Sequence, residues 1–500
     1  MKLSPSLIYK ELINGNLEKQ FAIDQLITLI NNSDDTNKRI ESIDILIKIG
    51  SKSEELFNLF ENLLISDSHE EIRNTAINAI RQNFIEKAFK PMKWAFHHDI
   101  SIICLITIVS TLGEIISNKA KSFLIDNIKN IEIHQFNKSL QNVLKTGEIY
   151  NFTNIKLSEV LNNYIIIKHF KKEFKDIKYN LNNGLVISLD LSGISNNVFG
   201  WNILRKLSEF IGTLKYLEKL DLKINRIANL PKKIDNLKYL KHLDLSNNNI
   251  RSLPESLGSL MSLEYLILKY NKISEIPSII GKLQKLKKLD LRHNNLESLP
   301  KEISNLKSLE ILDLHGNKLN SLPKSIEGFK SLKQLELGLN KLTFLPDWIK
   351  NLGSLEILGL GSNQISFNFS ILSKLNSLKE LDLYDINIKE LQNEIGSLKT
   401  LETLILRNNK LAKLPESFKD LKYLKRLDLS WNNFTTLPEW IDSLSSLEEL
   451  NLWGNNLISL PSSLGNLSSL KILNLNFNKY IRKIPESLKI LQNKGLKIYK

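Results

Sequence analysis

The residues best suited to chemistry are few, and most fall where another role explains them. His293 and His315 stand near Asp290 and Asp313, a mixture of imidazoles and carboxylates that could hold a divalent metal. No ligand spacing or supporting shell accompanies them, so solvated histidines are the simpler expectation, with no metal and no cofactor. His97 and His98 close a helical stretch, where a ring able to carry positive charge favours the helix C-terminus. Cys104, the single cysteine, excludes an intrachain disulfide and suits a reducing compartment. It shares its register with Ile40 and Ile72, so it is expected in a core and not as a nucleophile. No GxxxxGKS/T phosphate loop or GxSxG elbow occurs. Carboxylates do recur at a fixed interval, but without a paired base, and catalysis is not expected.

The 500 residues include 68 Lys+Arg against 54 Asp+Glu, and 42% are apolar. Those proportions exclude a disordered, collagen-like or mostly membrane-embedded chain. The opening MKLSPSLIYKELINGNLEKQ has no apolar segment of the kind a secretory signal needs. The charge-free run Ile100 to Gly113 is too short to span a bilayer and suits a buried helix. A soluble, cytoplasmic protein is expected.

Internal repetition decides the architecture. Asparagines stand at Asn225, Asn248, Asn271, Asn294, Asn317, Asn340 and Asn363, then at Asn409, Asn432, Asn455 and Asn478, in steps of 23, with Ile386 on the missing rung. Proline follows most rungs by six residues, as at Pro231, Pro254 and Pro461. Leu243 and Leu245 are two apart and face one core on an extended strand, which leaves His242, Asp244 and Ser246 to solvent. The chain then bends beside that core, where an asparagine amide can donate and accept for backbone groups of adjacent coils. Leu253, Leu257, Leu260 and Leu263 close the far side. One coil cannot bury its own face, so the coils must stack. The first is degenerate: LVISLDLSGI puts Ile194 on its rung, 31 residues before Asn225. Leu496 and Ile498 carry a closing strand.

The N-terminal third has a period of 32, aligning Asp35, Asp67 and Asp99 as helix N-caps and Phe60, Met92 and Leu124 as core. Paired short helices at fixed period read as an α-solenoid. Residues 131 to about 179 look helical without that period, and the stretch NLNNG at 180–184 is the best boundary. The expected organisation is helical repeats over 1–130, a helical linker or cap over 131–183, and a solenoid with a concave parallel sheet over 184–500.

The C-terminal part resembles the leucine-rich-repeat family, and specifically its Ras-group class, on LxxLxLxxNxL followed by LPxxIxxL; SLEILDLHGNKLNSLPKSIEGFK (308–330) follows both. The N-terminal part resembles HEAT-type repeats. The resemblance implies an α/β solenoid, a horseshoe with a concave parallel sheet, behind an all-α HEAT-like solenoid. It implies a non-enzymatic scaffold for a protein partner in intracellular signalling, such as a small GTPase, a phosphatase or a kinase. No basic-x-Val/Ile-x-Phe phosphatase-docking stretch is present.

Residues 1–183 hold 23 basic and 22 acidic side chains, so 184–500 hold 45 and 32, a net +13. That excess admits nucleic acid or an anionic surface as a ligand of the basic flank. The central sheet column opposes it, being acidic at Asp221, Asp244, Asp290, Asp313, Glu336, Asp382 and Asp428. The next two columns bring Trp431, Trp453 and Phe477 onto consecutive strands, with Tyr384 and Arg407 upstream and Tyr270 and Arg292 further back. Large aromatics and arginine on an exposed sheet either anchor a partner or pack on one another. Gly316, Gly338, Gly359 and Gly361 clear side chains from the middle coils, where either a partner loop approaches closely or the repeat has drifted. A third possibility is an enzyme docked by the helical domain.

Overall fold

The structure, a computed structural model, describes residues 4–174, 177–194, 204–366 and 368–500. The chain forms two compact units: one of residues 1–190 with 208–217, the other of 191–207 with 218–500. The division falls after Asp190, later than the boundary expected at 180–184.

In the first unit the 32-residue period produces helix pairs. They are α1 (Pro5–Ile13), α2 (Lys19–Asn32), α3 (Thr36–Ile49), α4 (Glu54–Ser66), α5 (Glu70–Asn83), α6 (Phe89–His98), α7 (Ile102–Glu114) and α8 (Asn118–Lys129). Then come α9 (His134–Lys145) and α10 (Asn154–Glu173). Successive repeats stack α3 on α5, α5 on α7 and α7 on α10. Phe60, Met92, Leu124 and Cys104 are fully buried, and burial pushes the Cys104 thiol up to about 12, which leaves it a core residue without nucleophilic character.

The aspartates of this period differ from expectation. Asp35 caps α3, accepting from the N–H of Asn37 and Lys38. Asp67 and Asp99 instead stand two residues before their helices' first caps, accepting N–H bonds from His69 and Ser101. Each also receives a guanidinium: Arg39 reaches Asp67 at 2.5 Å, and Arg73 grips Asp99 at 2.8 and 3.0 Å. Burial raises both carboxyls, but these donors outweigh it and hold them below the usual range. The helical expectation for 131–179 holds only to Glu173. NLNNG is the tip of an antiparallel hairpin, Lys178–Asn182 with Leu185–Asp190. Asn183 and Gly184 both have positive φ, as a two-residue turn of this hand requires. A Cβ on Gly184 would also fall 2.8 Å from Leu140 and Val160 side-chain carbons.

The second unit is a solenoid with, among the described residues, thirteen parallel strands, Lys219–Asp221 through Lys497–Tyr499, ordered as in the sequence. Equivalent residues pair, as Leu243 with Leu220 and Leu266. Leu243 and Leu245 are fully buried, while Pro254 leads into a 3-10 turn, Glu255–Ser259, that returns Leu257 to the core. The long first coil includes residues 195–203, which lie outside the described residues. Where Phe369 replaces proline, its N–H is accepted by Gln392 Oε1 at 3.0 Å, and Gln392 itself stands at the next proline position.

Asparagine is the recurring joint. Asn248 donates to the carbonyls of Leu222 (2.9 Å) and Leu245 (3.0 Å), and its Oδ1 accepts the Ile227 N–H at 2.9 Å. Asn294 repeats this with Leu268, Leu291 and Ile273. One amide thus ties two coils together.

A second ladder was missed in the sequence. The residues just before the strands alternate strictly as Glu218, Lys241, Glu264, Lys287, Glu310, Lys333, Glu356, Lys379, Glu402, Lys425, Glu448 and Lys471. Each lysine bonds the glutamate one coil back, at 2.5 to 2.8 Å. The pairs are exposed and screened by salt.

Two outcomes follow. Asn294→Ala strands the buried Ile273 N–H and should lower the unfolding free energy by about 2 kcal/mol in a denaturant titration. Lys379→Glu should lower the melting temperature at low ionic strength, and the deficit should vanish near about 1 M salt.

Candidate functional site

Strand ends position the surface side chains. Where a strand closes with Asp or Asn, that side chain accepts the N–H two positions on: Asp244 from Ser246 (2.9 Å), Asp382 from Tyr384 (2.9 Å), Asp428 from Ser430 (2.8 Å) and Asn451 from Trp453 (3.2 Å). Short polar side chains favour such local turns. The acidic column is thereby accounted for: most of its members shape turns. Asp221, Asp290, Asp313 and Ser246 are buried, against the expectation that these positions face solvent. Asp221 and Asp290 are covered by Lys223 and Arg292, two residues further on.

Each coil then passes through one left-handed residue: Ile224, Asn247, Tyr270, His293, Gly316, Leu339, Ser362, Asp385, Asn408, Trp431, Gly454 and Phe477, with φ from 51° to 69°. A side chain there is disfavoured by about 1 kcal/mol, and the asparagine that follows holds the turn. Trp431 and Phe477 occupy this column, while Tyr384, Arg407 and Trp453 occupy the one before it.

These five residues form a continuous row. Trp431 meets Trp453 edge to face at 5.2 Å, and Trp453 meets Phe477 at 5.7 Å. The Arg407 guanidinium carbon lies 5.5 Å from the Trp453 ring and 5.9 Å from Tyr384. Gly454 makes room, since a Cβ there would lie 3.1 Å from the Trp431 ring. The rings pack on one another and still stay in contact with solvent, Trp431 at 45% and Phe477 at 70%.

Tyr270 and Arg292 are not part of this row. Arg292 follows the strand Lys288–Asp290, four strands from Glu380–Asp382, or about 19 Å at the usual spacing. Its guanidinium is taken by Asp290 at 2.8 Å and Asp313 at 2.9 Å. Tyr270 stacks on His293 at 4.5 Å, and His293 meets His315 at 5.4 Å. Among the described residues, no three His, Cys, Asp or Glu side chains converge to hold a metal ion.

The glycine clearing is filled from within. The His293 ring lies over Gly316, His315 over Gly338, the Glu336 carboxyl over Gly359, and Tyr384 against Gly361. A Cβ at Gly359 would fall 1.8 Å from Glu336 Oε2. Side chains of neighbouring coils thus occupy the space above these glycines.

A family profile described as a leucine-rich repeat region matches residues 203–294, 278–381 and 358–494. The chain belongs to the leucine-rich-repeat family. A leucine-rich-repeat protein of Leptospira interrogans is 39% identical over 60% of this chain and 76% of its own, with a TM-score of 0.57. PEPR1, in the PEPR1–AtPEP1 structure, is 28% identical over 66% of this chain and 50% of its own, with a TM-score of 0.52. An internalin of Listeria monocytogenes covers 75% of this chain and 90% of its own at 21% identity and TM-score 0.50, a likeness of fold alone. A search of curated proteins finds no match.

The buried setting of Glu336 is the feature of this face that sequence reasoning missed. It is too long to cap its own strand; Gln334 donates to it at 3.0 Å, and burial, with Asp313 and Asp382 nearby, raises its carboxyl to about 7. Burial and Asp290 raise Asp313 to about 6. Gly359, at the same register on the next coil, was the available signal. A carboxyl raised in the folded state binds more protons folded than unfolded, so its stabilisation is full below about pH 4.5 and is lost as pH rises through 7. Glu336→Gln should match the parent's thermal midpoint at pH 4.5 and exceed it at pH 8.

Proposed function

We propose that this protein is a non-catalytic scaffold that binds a protein partner on the exposed sheet face along Tyr384, Arg407, Trp431, Trp453 and Phe477. The observation that carries this is the row itself: four aromatic rings and a guanidinium on successive coils, partly wet, on backbone fixed by buried asparagines. Exposed aromatic and arginine clusters are the side chains that dominate interface energies, and a rigid sheet loses little entropy on association. PEPR1, solved with AtPEP1, supports binding as a use of such a sheet. The Ras-group resemblance supports a cytoplasmic signalling role with a small GTPase or a signalling enzyme as partner, and HEAT-like packing for the helical unit.

A second reading rests on the helical unit, where Ile100 and Ile116 are almost wholly exposed at either end of α7, an apolar pair suited to docking another protein. The nucleic-acid alternative is disfavoured by the acidic residues lining the sheet.

Affinity purification with mass spectrometry, run in parallel on the parent and on Trp431→Ala/Trp453→Ala, tests the main reading. The partner recovered by the parent should fall at least about tenfold with the double variant, while its thermal unfolding stays close to the parent's. Equal recovery from both forms removes the sheet row as the contact. A steep loss of affinity with added salt would transfer the contact to the basic flank.

A further inference from the structure

Arg407 differs from the other arginine of its column. Arg292 is neutralised by two carboxylates, Asp290 on its own strand and Asp313 on the next. The position on Arg407's strand that corresponds to Asp290 is Ile405. Asp428, on the next strand, is already engaged by the Ser430 hydroxyl at 2.5 Å and by Asn451 at 3.1 Å. The exposed Asp385 accepts from Asn408 at 2.8 Å and from Ser362 at 3.3 Å. Among the described residues, none of the ion pairs involves Arg407. Its Nε is buried without a hydrogen-bond partner. The guanidinium is instead held between the Tyr384 and Trp453 rings.

We infer that Arg407 is the anion anchor of the sheet face, and that the row takes an extended polypeptide segment presenting a carboxylate side chain between apolar ones. This rests on the binding role proposed above and names its partner chemistry. Three observations point the same way. A guanidinium with a planar fork of donors matches a carboxylate in two parallel bonds. The Tyr384 and Trp453 rings, 5.9 and 5.5 Å from its central carbon, hold the cation by their faces while leaving it partly exposed to a partner. The rings beyond it, Trp431 and Phe477, offer apolar contact on one side only, toward the C-terminal coils. From the strand of Tyr384 to that of Phe477 is four strand steps, about 19 Å, which an extended chain covers in about six residues.

Two pooled sets of fluorescein-labelled heptapeptides test this on the full chain: leucine, valine and phenylalanine at the flanking positions, with glutamate at the centre of one set and glutamine in the other. Fluorescence anisotropy should show the parent binding the glutamate set at least about tenfold more tightly. Arg407→Gln should bind both sets alike, with thermal unfolding unchanged, and Arg407→Lys should retain part of the preference. Equal binding of both sets by the parent, or a preference that survives in Arg407→Gln, overturns the anchor but leaves the sheet row as a contact. If neither set binds, the anchor is overturned, and the parallel purification with Trp431→Ala/Trp453→Ala decides separately whether the row binds at all.

Discussion

Everything in the leucine-rich unit depends on one buried amide per coil. Each strand must be followed by a left-handed residue, and that conformation is unfavourable for side chains as large as Trp431 or Ile224. The asparagine behind it satisfies two carbonyls and a neighbouring N–H, none of which water can reach. Local strain is thus balanced by bonds between coils, so no coil is stable without its neighbour. Ile386 shows the limit of the rule. Without an amide at that rung, Asn387 also turns to positive φ, and the stretch just upstream carries a short helix, Phe369–Leu372, where other coils have a 3-10 turn.

The same joints explain why the surface row is suited to binding. A side chain on a loop must be ordered when a partner arrives. Trp453 instead starts from an N–H held by Asn451, and Trp431 donates its own N–H to the Trp453 carbonyl at 2.7 Å. Ring geometry is set before contact, and Gly454 is present because the Trp431 ring needs its space.

Much of this was legible in advance, for identifiable reasons. Leucine and asparagine at a fixed period specify strand, bend and stacking, because burial and amide bonding leave those residues no other arrangement. The aromatic row was visible once the register was known. What escaped depended on side-chain length or on local bonding. Asp290 and Ser246 looked wet because alternation alone places them outside, yet a neighbouring arginine or a short turn buries them. Glu336 differs from its column mates by one methylene, which carries its carboxyl past the turn and over Gly359. The Asn-Gly turn at 183–184 reads in the sequence as a boundary, and LVISLD as the opening of the first coil; that this strand instead folds back on Lys178–Asn182 depends on a pairing that residue pattern does not specify.

The alternating glutamate and lysine ladder implies a hidden grammar of length. A solenoid whose coils were interchangeable could grow or shrink by any number of them. Here the exchangeable module is a doublet: removing one 23-residue coil from the middle would set glutamate against glutamate or lysine against lysine, whereas removing two restores complementarity. The arch carries a parity, and homologues of different size should differ from it by even numbers of turns.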